Sequence, residues 1–145
     1  MITICCGNGA AVTNPINLKE PKGELSIRTV GMPGDTNPAG HIFGGWVLSQ
    51  MDMAGAIHAS SYTGTRVVTV AVDSMKFHKP IEIGDEVSCY TTIGRIGRSS
   101  VAIHIETWVR RARHGSPLMV TAGSYTYVAM DEDGEPTEIV PKNVK

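Results

Sequence analysis

Apolar and polar residues alternate along most of this chain, and only one stretch breaks into a helical spacing. Leu25 to about Val30 alternates and predicts a short strand. Gly31–Gly40 follows as a loop rich in Gly and Pro; loops of this length in compact domains often carry function. From Gly45 to about Ser61, Val47, Leu48, Met51, Ala54 and Ile57 or His58 recur at helical spacing, the best helix signal in the sequence. Everything after it reads as strand. Arg66 to Lys79 is Val-rich and closed by Pro80, and Ile81–Asp85 is a turn-bearing connection. Glu86 to Arg95 places Val87, Cys89, Thr91 and Ile93 on one face before Gly94–Arg98 bends or breaks the ladder. Val101, Ile103, Ile105, Thr107 and Val109 alternate next, and a last strand runs from Leu118 to Ala129.

The order is therefore strand, helix, then four strands with short antiparallel-style links. One helix cannot hide both faces of such a sheet, and long strands with an uncovered face and open edges invite pairing with another copy. The pattern predicts an α+β fold, an antiparallel sheet wrapped around one helix, in an obligate dimer or larger. Residues 1–22 read as an N-terminal leader, 23–132 as the domain and 133–145 as a C-terminal tail; Asp131–Pro136 is a polar turn, and the residues beyond it read as dispensable.

Composition narrows the partners. At 145 residues with 41% hydrophobic and 19% charged positions, the chain is one globular domain with a core of its own. Lys and Arg (13) nearly balance Asp and Glu (14), for a net charge of −1. A nucleic-acid or anionic-membrane binder is ordinarily more basic, so neither partner is expected. Cys5, Cys6 and Cys89 form neither a disulfide framework nor a zinc spacing and read as free thiols of a reducing cytoplasm. The N-terminus has no secretory pattern, and no apolar run is long enough for a membrane span. Gly7-Asn8-Gly9-Ala10-Ala11 imitates the start of a dinucleotide fingerprint, without the strand, third glycine or later acidic residue that the motif needs.

The chemistry concentrates on the helix and the loop before it. Asp is a poor helix-interior residue, because its carboxylate competes for backbone groups. Asp52 nevertheless sits mid-helix between Met51 and Met53, on a stripe with Gly45, Ser49, Gly55 or Ala56, and Ala59. Such small residues leave room for another backbone or a slender ligand. Phe43-Gly44-Gly45-Trp46 brings no ordinary capping side chain to the helix start. The free N–H groups there, with two glycines to let a ligand oxygen approach, make an oxyanion hole. Asn37, held extended before Pro38, can donate and accept. The chain carries no G-x-S-x-G elbow and no Walker A, and His41, His58, His78, His104 and His114 form no metal spacing. His104 reads as an outward strand residue, and His41 lies beside the candidate site.

Asp35-Thr36-Asn37-Pro38-Ala39-Gly40-His41-Ile42-Phe43-Gly44-Gly45-Trp46, followed by Ser49-Gln50-Met51-Asp52, closely resembles the hotdog-fold acyl-CoA thioesterases, in particular their YciA-like branch. Arg66–Val72, Phe77-His78-Lys79-Pro80 and Gly97-Arg98-Ser99-Ser100 resemble it in the same order, so the likeness spans about Leu25 to Ala129. The resemblance implies hydrolysis of acyl-CoA to CoA and a carboxylic acid. Asp52 would be general base or nucleophile, Asn37 would position water or thioester, and Gly45 and its neighbours would be the donors to the thioester oxygen. Gly44, Thr69, Lys79, Gly97, Arg98, Ser99 and Ser100 would contact substrate or CoA. It further implies no cofactor beyond the CoA of the substrate, sites built across a homodimer interface, and a hexamer arranged as a trimer of dimers. His41 departs from the pattern, standing where close relatives often carry Asp. A non-catalytic acyl-CoA sensor is the alternative, opposed by the intact Asp52 and Asn37. A hydratase of the same fold needs an Asp-His pair in a characteristic loop, which this chain lacks.

Overall fold

The computed structural model describes residues 20–112 and 114–140, together with the backbone of two short strands, β1 (Ile4–Cys5) and β2 (Ala11–Val12), paired antiparallel. The Cys6 thiol, the Gly7–Ala10 motif, most of the expected leader and residues 141–145 lie outside the described residues.

The remaining elements are β3 (Glu24–Val30), α1 (Gly44–Thr63), β4 (Arg66–Val72), β5 (Lys76–Phe77), β6 (Glu86–Ile96), β7 (Ser100–Arg110) and β8 (Leu118–Met130). The sheet is antiparallel throughout, in the order β3-β6-β7-β8-β4, with β5 also on β8. Helix α1 touches all five long strands, so the sheet curls around it as the alternation and the lone helical run require. This is the hotdog arrangement.

The helix turns Val47, Met51, Ala54, Gly55, Ala59 and Thr63 into the core, against Val87, Cys89, Val101, Ile103, Ile105, Tyr125 and Tyr127. Each large apolar side chain removed from water there contributes about 1.5–3 kcal/mol. Helix α1 ends on Gly64, whose φ of 69° is the left-handed conformation that glycine adopts freely, and the Gly64 N–H closes on Ser60 O at 2.8 Å. Outward-facing His104 is exposed, as its place in the alternation requires.

Two features differ from the sequence pattern. The run Arg66–Lys79 is not one strand. It breaks after Val72, because Met75 folds inward against Gly123, where the absence of a side chain leaves room for it. Pairing with β8 moves from Val72↔Tyr125 to Lys76↔Ala122, so the intervening segment carries an extra residue on the β4–β5 side, as in a bulge. Beyond the polar turn, the segment read as a tail is fastened to the sheet. Thr137 N–H donates to Ala129 O and Ile139 N–H to Arg98 O, both at 2.8 Å, and Ile139 is buried.

One side of the molecule stays apolar and open. Among the described residues strand β4 has β8 on one edge and no strand on the other, and Val68, Val70 and Val72 are exposed along it, with Met53 and Ile57 exposed on α1.

Candidate active site

The loop before α1 is built from short-range hydrogen bonds. Pro33–Asp35 forms a 3-10 turn, with the Asp35 carboxylate accepting from Met32 N–H at 3.1 Å. The Asn37 side-chain oxygen accepts from the N–H of Ala39 (3.0 Å) and of His41 (3.1 Å), so the loop itself consumes the acceptor end of this amide. Its NH₂ end has no partner among the described residues and remains as a donor. Phe43 N–H donates to Asp35 O and Ile42 N–H to Ile81 O, both at 2.9 Å, which fixes where the helix begins.

Phe43 caps α1 with extended backbone and no side-chain bond. Nothing among the described residues accepts from the N–H of Gly44 or Gly45. A side chain at Gly45 would meet open space, and one at Gly44 would only touch the Phe77 ring at 3.5 Å. These are bare donors at the positive end of a 20-residue helix. Gly44 lines a cleft of about 350 Å³ walled also by Asn37, His41, Phe77, His78 and Lys79, while Gly45, one residue on, is not part of its wall. The structure thus brings three expected site residues, Asn37, Gly44 and Lys79, to one place.

Asp52 does not line that cleft. It lies seven residues beyond Gly45, about 10 Å along the axis at 1.5 Å per residue. The carboxylate is half-buried, and its Oδ1 accepts from the Thr69 hydroxyl at 2.6 Å and from the Tyr127 hydroxyl at 3.3 Å. Tyr127 also donates to the Asp52 backbone oxygen at 2.8 Å. Oδ2 has no partner among the described residues. Thr69, which the resemblance placed on substrate or CoA, here holds the carboxylate.

The small residues around Asp52 are likewise explained from inside the fold. At Gly55 a Cβ would overlap the Tyr127 hydroxyl, so this glycine is the notch that lets the phenol reach the helix backbone. Burial first, then the Asp52 charge, pushes Tyr127 well above the ordinary phenol range. The same two causes push Tyr125 up to about 12. Both therefore stay protonated donors, and the Tyr125 hydroxyl donates a hydrogen bond to Leu48 O at 3.2 Å.

The turn between β6 and β7 stands apart from the cleft. Gly97 N–H closes on Ser100 O at 2.7 Å, and Ser99 O accepts from Ala129 N–H at 2.8 Å. The Arg98 side chain is exposed and has no partner among the described residues. Ser100 pairs with Val128, and Val101 with Tyr127, so this turn belongs to the Asp52 end of the sheet.

Sequence reasoning missed Tyr127 and Phe77. Tyr125 and Tyr127 share one face at a spacing of two, and a buried tyrosine needs a partner for its hydroxyl, which is the signal that was there to read. Cys89 is buried and free, its thiol pushed up by desolvation and set 3.6 Å from the Thr107 hydroxyl. Among the described residues no three His, Cys, Asp or Glu side chains gather as metal ligands. No helix among them is long and apolar enough to cross a membrane.

A family model described as the thioesterase superfamily matches residues 39–115. The acyl-CoA thioester hydrolase YciA of Salmonella typhimurium is 46% identical over 119 residues, 80% of this chain and 90% of that protein. The crystal structure of HI0827, a hexameric broad-specificity acyl-coenzyme A thioesterase, matches at TM-score 0.80 and 48% identity, covering 86% of each chain. Cj0915 of Campylobacter jejuni, a hexameric hotdog-fold thioesterase, matches at TM-score 0.77 and 43% identity, over 81% of this chain and 91% of that one.

Proposed function

The chain belongs to the thioesterase superfamily, and we propose that it is an acyl-CoA thioester hydrolase, converting acyl-CoA and water to free CoA and a carboxylic acid. The observation that carries this reading is the pairing of two half-sites on one helix: a start with two unpartnered N–H donors, and a mid-helix carboxylate with one oxygen held and the other free. YciA and HI0827, which share nearly half their sequence with this chain, are named for that reaction.

In this reading the thioester oxygen lies against the Gly44 and Gly45 N–H groups, where fixed donors and the helix dipole favour the negative charge that develops on it. The Asn37 NH₂, a donor only, is suited to the same carbonyl or to the oxygen of the attacking water. Asp52 uses Oδ2, either to take a proton from the water that attacks the carbonyl or to attack the carbonyl itself; in both the C–S bond breaks and CoA leaves as thiolate, and in the second the resulting anhydride is then opened by water. Lys79 and Arg98 are cations suited to the phosphates of CoA. No cofactor is required beyond the CoA of the substrate, and the compartment is the cytoplasm.

The two half-sites lie about 10 Å apart along one helix, too far to act on the same carbonyl. The open edge and exposed valines of β4 supply a surface for a second copy, whose Asp52 would face the first copy's helix start. The assembly is then a homodimer at minimum and a hexamer in full, as HI0827 is.

A panel of acyl-CoA esters with detection of the released thiol tests the activity. Turnover on at least one chain length is expected. Tight binding of the panel with no thiol released would replace this reading with a sensor. Sedimentation showing an active monomer of 15.5 kDa would remove the shared site.

A further inference from the structure

Resting on the reading of Asp52 as the reacting carboxylate, we propose that Tyr127 is a positioning residue for the reaction, holding the Asp52 side chain so that Oδ2 alone faces the substrate. Tyr127 is fully buried on β8, and its ring stacks on Tyr125 with centroids 6.4 Å apart, so the phenol cannot swing. It reaches α1 only because position 55 is glycine. Its single proton is shared between the Asp52 backbone oxygen at 2.8 Å and Oδ1 at 3.3 Å, which ties the side chain to the helix that carries it. The Thr69 hydroxyl, from a different strand, approaches the same Oδ1 at 2.6 Å.

Two hydroxyls on one oxygen, and none on the other, are more than a half-buried carboxylate needs. A lone structural carboxylate gains from spreading its donors over both oxygens; here they converge on one, and the second is left bare. The result fixes the side-chain torsions of Asp52 without a direct contact to the reacting atoms. Tyr127 is fully buried and its hydroxyl is spent on Asp52.

The test is Tyr127→Phe, which keeps the ring and the stack, assayed on an acyl-CoA that the native protein turns over. Turnover should fall about 10-fold, the effect of one lost hydrogen bond to a charged group, with KM within about 2-fold of native. In an Asp52→Ala background the same change should leave the residual rate unmoved, because the group it acts through is gone. Thr69→Ser should keep most of the native rate, and Thr69→Val should lose about as much as Tyr127→Phe. Native turnover in Tyr127→Phe overturns the proposal. So does an equal loss in the Asp52→Ala background, which would mark a general effect on the fold. If Asp52→Ala itself turns over normally, the role given to Asp52 fails first, and the background comparison tells the two failures apart.

Discussion

The two ends of the proposed site are built on opposite principles. At the start of α1 the chemistry comes from the backbone: glycines remove side chains, a loop of short-range hydrogen bonds fixes the first turn, and the N–H groups are left without partners. At Asp52 it comes from side chains that are over-supplied with partners, one oxygen taking both Thr69 and Tyr127. The donors of the first half are local in sequence, from Asn37 to Gly45, with the Phe77–Ile81 segment bracing them through Ile42 N–H on Ile81 O. The second is assembled from α1, β4 and β8, with partners 17 and 75 residues apart. A backbone donor tolerates many side-chain changes and fails only when the N–H itself is removed. A side-chain carboxylate fails with a single substitution.

That difference sets the largest expected effect. Asp52→Ala should lower turnover by at least ~100-fold, the scale of a lost general base, while folding changes little because Ala is the better helix former. Circular dichroism checks the fold, and thiol release checks the rate. Near-native turnover in a folded mutant would mean that the two halves are not parts of one reaction.

The same contrast governs what was legible in the sequence. Asp52 stood out because a carboxylate between methionines in a helix has no structural excuse, and Gly44-Gly45 because no capping residue precedes the helix. Both are local signals, readable without knowing which distant strands pack on the helix. Strands β6, β7 and β8 followed from alternation, since one face of each packs on α1. What escaped depends on contacts between distant segments. The break at residues 73–75 comes from Met75 seating on Gly123, and Thr69 looks like any polar strand residue until β4 is laid beside α1. Ile139 reads as tail until its N–H is seen on Arg98 O.

The backbone half is probed by removing one donor rather than a side chain. Gly45 is the second residue of α1, where proline is tolerated because no intrahelical bond is lost. Gly45→Pro should therefore fold, yet delete one N–H from the proposed oxyanion hole. A loss of about 100-fold in turnover is expected, within the usual range for one such donor. Gly45→Ala keeps the N–H and adds a side chain where the chain itself offers no obstacle, so it separates the donor from the space around it. If Gly45→Ala and Gly45→Pro fall together, the glycine serves clearance for a ligand or a second copy, and the hydrogen bond is not the reason for it.

The smallest effect is expected furthest from the reacting atoms, at the β6–β7 turn. Its backbone is tied down, with Gly97 N–H on Ser100 O and the carbonyls of Arg98 and Ser99 accepting from Ile139 and Ala129, while the Arg98 guanidinium has no partner among the described residues. Such a cation on a fixed support is suited to a phosphate. Arg98→Ala should raise KM for acyl-CoA by about 10-fold, since a hydrogen bond to a charged group contributes about 1.5–3 kcal/mol. The chemical step should hold, because that contact is made alike in the bound substrate and the transition state. A pantetheine thioester, which has the same reacting bond but no nucleotide, should be hydrolysed equally well by native and mutant protein. The turn adjoins the strand that carries Tyr127, so a change that loosened the sheet would instead slow both substrates together. Equal losses on acyl-CoA and on the truncated thioester would move Arg98 from substrate binding to support of the Asp52 half.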